Sequence, residues 1–148
     1  MTRKEQAMTL FESGYNCSQA VALAFKDLVD IDEKTLAKLS LSFGGGVGRM
    51  REVCGAVSGA AIILGLLYGN DEPGVGKGEH YARVQEVAKR FEADNGSIVC
   101  RELLKLNNGT HSAPEPEART KEYYKKRPCN QLVGYMAEIL EEYINNQD

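Results

Sequence analysis

Between Val53 and Gly69 the chain carries no charged side chain, in a protein of 148 residues of which 26% are charged. A run like that cannot lie on a solvated surface, so the rest of the fold has to cover it. It sits at the short limit for crossing a bilayer, and Cys54, Gly55, Ser58, Gly59, Gly65 and Gly69 interrupt it. We therefore read it as a central buried helix and expect no membrane span. Gly55 and Gly59 are four residues apart, as are Ala56 and Ala60, which makes a flat ridge where another backbone packs closely. Two explanations of that ridge stay open. One is tight packing alone; the other is room beside Cys54 for a partner thiol, a cluster or a second copy of the chain, from which a homodimer is expected.

The flanking sequence is punctuated into helices and little else. Spacing and caps predict helices over Thr2 to Ser13, Cys17 to Val29, Glu33 to Leu41, Cys54 to Tyr68, Glu79 to Asp94, Ile98 to Leu106, Glu117 to Lys126 and Pro128 to Asn146. Thr2 and Glu5 form a capping box. Tyr81, Val84, Ala88 and Phe91 share one face of the fifth segment, and Leu132, Met136, Ile139 or Leu140, and Tyr143 share one face of the last. Only Leu39 to Phe43 alternates like a strand, and one short strand makes no sheet. The stretches Gly69 to Gly78 and Asn107 to Pro116 are loops, neither long enough to separate domains. The expectation is an all-α fold, a compact single-domain bundle of about seven or eight helices over residues 1–148.

Composition removes several function classes. A net charge of -3 without a basic stripe argues against nucleic acid as a partner. The N-terminus runs straight into a polar helix with no apolar signal region, so a cytoplasmic protein is expected. In a reducing compartment, cysteines are more often metal ligands or redox groups than permanent disulfides. His80 and His111, the only histidines, stand among polar residues and are expected to be solvated. The Gly44 to Gly48 run lacks the Lys-Ser/Thr ending of a phosphate-binding loop; its glycines are read as permitting a tight turn or a close approach to a sulfur site. No nucleophile elbow is present. Glu115 to Arg127 reads as a solvated, charge-rich helix face anchored by Tyr123 and Tyr124.

What remains is sulfur. Cys17, Cys54, Cys100 and Cys129 lie 37, 46 and 29 residues apart, yet each falls where a helix begins. Asn16 is a good N-cap before Cys17, Ser97 is placed to cap the helix holding Cys100, Pro128 suits the first helical position before Cys129, and the glycine run precedes Cys54. Unpaired N–H groups and the positive end of the helix dipole favour thiolate, so lowered thiol pKa values are expected. Arg49 and Arg51, close to Cys54 in sequence, add positive charge.

The segment Cys54-Gly55-Ala56-Val57-Ser58-Gly59 resembles the CGAxxG motif of the C-GCAxxG-C-C family of redox-active proteins, whose members carry one cysteine before the motif and two after it. Cys17, Cys100 and Cys129 occupy those places, and Gly44 to Gly46 fits the upstream glycines, so the resemblance spans nearly the whole chain. It implies redox activity, and the family's selenocysteine forms favour real redox chemistry over structural thiols. A related domain in split-Soret cytochromes is associated with an iron–sulfur centre. This chain has no Cys-x-x-Cys-His sequence, so haem is not expected.

Two mechanisms compete. In the first, Cys17, Cys54, Cys100 and Cys129 ligate a cluster, most simply 2Fe–2S, with Gly55 letting the backbone approach it, and electrons pass to a redox partner protein. In the second, a thiolate attacks a small disulfide or oxidant and a second cysteine resolves the product, with Cys54 as the attacker. Four cysteines permit three pairings, which sequence does not choose among. Zinc held by four thiolates is the lesser alternative and implies a structural or regulatory, non-catalytic module, which genomic analogy places beside transporters.

Overall fold

The computed structural model describes residues 1–106 and 113–147; His111 therefore lies outside the described residues. Among the described residues eight α-helices follow one another: α1 (Arg3–Glu12), α2 (Cys17–Leu23), α3 (Glu33–Leu41), α4 (Gly55–Tyr68), α5 (Lys77–Asn95), α6 (Cys100–Leu103), α7 (Lys121–Lys126) and α8 (Cys129–Asn145). Among the described residues there is no strand, only an isolated antiparallel bridge between Val53 and Val99. The all-α expectation holds, and Leu39 to Leu41, which alternate like a strand, end α3.

The uncharged segment becomes α4, buried along Gly55, Ala56, Val57, Gly59, Ala60, Ile63 and Leu64 and packed against α2, α3, α5 and α8. Gly59 marks the closest approach to α2, since a Cβ there would lie 2.5 Å from the Ser18 carbonyl oxygen. The small-residue ridge is thus filled from within the chain by α2, not left as a face for a second copy. No helix among the described residues is long and apolar enough to cross a membrane. Around α4, the amphipathic α8 buries Leu132, Val133, Met136, Ala137, Ile139, Leu140 and Tyr143, and α1 lies along it and buries Ala7 and Phe11. On α5 the inward face is Val87 and Phe91, with Val84 and Ala88 at its edge; Tyr81 is exposed, because this first turn overhangs the core beside the Gly69 to Gly76 loop.

Three predicted helices are shorter in the structure by at least four residues, each for a local reason. The second stops at Leu23 and passes into a 3-10 turn at Lys26–Leu28, because Arg3 donates to the Ala24 carbonyl at 2.8 Å while its guanidinium stands over the Phe25 ring. The sixth shrinks to Cys100–Leu103. Cys54 N–H donates to the Ile98 carbonyl at 2.7 Å and Cys100 N–H to the Glu52 carbonyl at 2.6 Å, which holds Val99 extended. Ser97 is accordingly not the N-cap: its hydroxyl accepts from Val99 N–H at 2.9 Å and donates to Glu102 at 2.7 Å. The seventh begins only at Lys121, where the Thr120 hydroxyl accepts from Tyr123 N–H at 3.2 Å.

Candidate functional site

Three of the four cysteines occupy the first helical position. Cys17 follows Asn16, whose side chain accepts from Gln19 N–H at 2.9 Å while Gln19 reaches back to Asn16 N–H at 3.0 Å. Cys100 opens α6 and Cys129 opens α8 behind Pro128, while Cys54 is the N-cap residue of α4. These four helix starts, far apart in the chain, converge on a cavity of about 450 Å³ that all four cysteines line. Cys54 and Cys100 are buried, Cys17 and Cys129 are partly buried, and all four are free thiols. Every pair among them is close enough for one thiolate to disfavour the other.

Glycines make this convergence possible. A Cβ on Gly55 would stand 2.3 Å from Cys17 Sγ, so α4 can bring Cys54 to Cys17 only with hydrogen at that position. The preceding loop is unusual: φ is between +56° and +72° at each of Gly45, Gly46, Val47, Gly48 and Arg49, and +63° at Arg51. Left-handed backbone costs a non-glycine residue roughly 1–2 kcal/mol, so Val47, Arg49 and Arg51 carry strain that the surrounding contacts must hold in place. Those contacts are long-reaching turns, with Arg51 N–H donating to Gly45 carbonyl at 3.0 Å and Glu52 N–H to Gly46 carbonyl at 2.9 Å. The coil presses Gly46 to where a Cβ would lie 2.7 Å from Cys100 Cβ, and it aims Gly45 N–H at Cys17 sulfur.

At Cys17, Cys54 and Cys129 the expected lowering of the thiol pKa is reversed. Burial pushes Cys17 up, against the N–H of Gly45; burial and then Cys17 push Cys54 well above its ordinary range, against the N–H of Ala56. Cys129 is pushed up to about 12 by burial, then by Cys17 and Cys100, while Arg127 and the hydroxyl of Tyr123 pull the other way. Helix starts do supply donors, but the loss of water around a buried thiol outweighs them. Cys54 is therefore no exposed low-pKa attacker.

Sequence reasoning placed Arg49 and Arg51 near the sulfur, and both line the cavity, but Arg51 serves a different thiol. It is 6% exposed, and its Nη1 stands 3.6 Å from Cys100 Sγ. Missed altogether were Glu117, Arg119, Tyr123 and Arg127, which also line the cavity. They belong to the charge-rich stretch read as a solvated face; residues 113–118 and 120 are indeed exposed, with Arg119 half-buried, and the stretch runs over the cavity mouth as a strap instead of starting a helix at Glu117. Arg49 donates to the carbonyls of Ala113, at 2.8 Å, and Glu115, and stands 3.9 Å from the Glu117 carboxylate, which also pairs with Arg127. Arg119 donates to the carbonyls of Phe11 and Tyr15, the latter at 2.8 Å, with its guanidinium 4.0 Å from the Phe11 ring centre. Tyr123, half-buried, lines the cavity together with Cys129. Arg119, Tyr123 and Arg127 recur every four residues, but two of the three are charged, so the spacing reads as a solvated helix face and carries no signal of a site. His80 lies on α5 beside Arg83, whose Nη1 is 3.3 Å from its Nδ1, and it does not line this cavity.

The donor set is sulfur, with four arginines and one glutamate around it. Among the described residues, no three of His, Cys, Asp and Glu stand close enough to hold one metal ion. A single zinc draws four sulfurs to about 2.3 Å from one point, an arrangement this ring does not make. Four thiols lining one cavity, with glycine backbone at two of them and cationic side chains nearby, are the donor chemistry that a polynuclear iron–sulfur group takes, since it carries negative charge and is ligated at more than one iron.

No curated protein and no solved structure matched the chain. One family model did, described as putative redox-active protein (C_GCAxxG_C_C), over residues 15–143, a span that contains all four cysteines, the CGAxxG segment and the strap. The chain belongs to the C_GCAxxG_C_C family of redox-active proteins.

Proposed function

We propose that the protein is a one-electron carrier in which Cys17, Cys54, Cys100 and Cys129 hold an iron–sulfur cluster, 2Fe–2S being the simplest that takes four thiolates. The observation that carries this reading is the convergence of four buried or partly buried thiols, one from each of four helix starts, on one cavity. When bound, such a cluster accepts and returns single electrons at a potential set by its surroundings. The chain's own residues do the rest. The helix-start and loop N–H groups of Ala56 and Gly45 face sulfur, the arginines balance negative charge, and the strap and the α8 start limit water. A redox partner protein supplies and removes the electrons.

Burial with raised pKa values weighs against thiol–disulfide exchange, because the thiolate is the attacking species and a thiol buried in apolar surroundings is inert. Among the described residues no three such ligands stand close enough to share one metal ion, which weighs against zinc.

The test is anaerobic purification, followed by the visible spectrum and by iron, sulfide and zinc analysis. The expected result is a coloured protein with iron and acid-labile sulfide in equal amounts, and loss of both when any one cysteine is changed to serine. Colourless protein that resists reconstitution and shows four titratable thiols would sink the cluster and restore the dithiol reading.

A further inference from the structure

The cavity that the four thiols line has walls of two kinds. On its inner side they are tied together through the backbone. Cys54 and Cys100 N–H groups pair with the carbonyls of Ile98 and Glu52, and the coil over 44–52 closes on itself through bonds from Arg51 to Gly45 and from Glu52 to Gly46. The outer wall is the strap, which contributes Pro114, Pro116, Glu117 and Arg119 to the lining. Its residues 113–118 belong to no helix and are exposed. Pro114 and Pro116 have no N–H to give. Among the described residues, the N–H groups of 113–120 make one backbone hydrogen bond, from Thr120 to the Ala118 carbonyl at 3.0 Å.

Side chains hold the strap instead, and they do so unequally at its two ends. Toward α7, half-buried Arg119 is clamped to the end of α1 by the carbonyls of Phe11 and Tyr15 and by the Phe11 ring. Toward residue 113, Arg49 reaches from the coil to the carbonyls of Ala113 and Glu115, and Glu117, its side chain 43% exposed, sits between Arg127 and Arg49. Segments open first where few buried contacts and solvent-exposed polar bonds hold them. The strap therefore has a hinge at Arg119 and an ionic latch at Glu117. We propose that residues 113–118 are a door over the thiol cavity, latched by Arg49 and Arg127, through which iron and sulfide reach the cysteines and behind which the loaded centre is shielded from small molecules. Electrons cross a thin segment of chain without its moving and atoms do not, so the door governs loading and protection. Its cargo rests on the iron–sulfur reading, while the latch stands without it.

The experiment uses the full chain with Glu117→Gln, Arg49→Met and Arg49→Gly, the last because glycine is unstrained at the left-handed φ of +65° found there. Arg90→Gln, which removes an ion pair with Glu86 on α5, is the control. In the reconstituted, reduced protein, the neutral chelator 2,2′-bipyridine is added in excess and its iron(II) complex is followed by absorbance. At unchanged starting iron content, release is expected to be about threefold faster in Glu117→Gln and about tenfold faster in both Arg49 variants, the sizes of one exposed ion pair and one charged hydrogen bond. Salt at about 1 M should speed release from the native protein and from Arg90→Gln, and leave Glu117→Gln unchanged. In the metal-free protein, hydrogen exchange read by mass spectrometry should quicken over 44–52 and 100–104 in Glu117→Gln, with α5 unchanged. Where iron is bound, release decides: rates equal to the native rate in all three latch variants overturn the proposal, and so does reconstituted iron content that falls with the latch, since those residues would then hold the centre and not a door. If the native protein takes up no iron, the iron–sulfur reading falls and exchange alone decides, quickening upholding the door and unchanged exchange refuting it. If Arg49→Met does not fold, Arg49→Gly and Glu117→Gln carry the same comparison.

Discussion

At Gly55 packing and chemistry meet in one hydrogen atom. A Cβ there would lie 2.3 Å from Cys17 Sγ and 3.0 Å from the Phe43 carbonyl oxygen, so Gly55→Ala has to push α4 away from α2 or drive the Cys17 sulfur out of place. Overpacking of this kind costs about 1–3 kcal/mol. Gly59→Ala, one turn on, meets the Ser18 carbonyl oxygen at 2.5 Å and is expected to destabilise by a similar amount without touching a sulfur. Urea unfolding should therefore show two comparably weakened proteins, whereas bound iron should fall sharply only in Gly55→Ala. Equal iron in both variants would mean that Gly55 is a packing glycine and nothing more. The spacing of the two glycines was visible in the sequence as a ridge, but its occupant was not: that α2 fills it, with Cys17 against Gly55, is a long-range contact. The thiol pKa values show the same limit. Helix starts are local and were legible, but the sign of the shift was set by burial, which is not.

Among the elements, the strap of residues 113–120 combines exposure with inward bonding. Charge predicted a solvated stretch, and all of it but half-buried Arg119 is exposed, yet its charged groups bond inward, with Arg119 on the carbonyls of Phe11 and Tyr15 and Glu117 between Arg127 and Arg49. Arg119 also spans the Phe11 and Tyr123 rings, so it joins the end of α1 to the start of α7. Arg119→Gln removes the charge and the ring contacts, and is expected to cost about 1–3 kcal/mol and to free the strap. Limited proteolysis followed by mass spectrometry checks this: cleavage between residues 113 and 120 should speed up well ahead of cleavage elsewhere, and an unchanged digestion pattern would show that the strap is held by other contacts. The neighbouring α6 teaches a related lesson. Its helical propensity extends from Ile98 to Leu106, but pairing of Cys54 and Cys100 N–H groups with the opposite segment's carbonyls trims it to four residues and sets Cys100 at its start. Sequence pattern reported the tendency, and tertiary pairing chose the boundary.

For the whole molecule, the buried thiols tie stability to pH whenever metal is absent. Cys129 ionises near 9 in the unfolded chain and near about 12 in the folded one. Above pH 9 the unfolded state has therefore lost a proton that the folded state keeps. Stability is full below pH 9 and declines as pH rises toward 12, by about 1 kcal/mol between pH 9 and 10 for this one thiol. Cys54 and Cys17, raised by the same cause, act in the same direction. Urea unfolding of the reduced, metal-free protein at pH 8, 9 and 10 measures the slope, and Cys129→Ser should flatten it. A slope that Cys129→Ser leaves unchanged would mean that Cys129 is not buried as neutral thiol. By itself the sequence determined the helical class, the central place of the uncharged α4 and the position of each cysteine at or beside a helix start, because periodicity, caps and glycines act over a few residues. Only the tertiary structure decided that four helix starts share one cavity, that Arg51 stands against Cys100, and that burial raises the pKa of Cys17, Cys54 and Cys129. Those outcomes depend on desolvation and on contacts between segments tens of residues apart, quantities that exist only once the chain has packed.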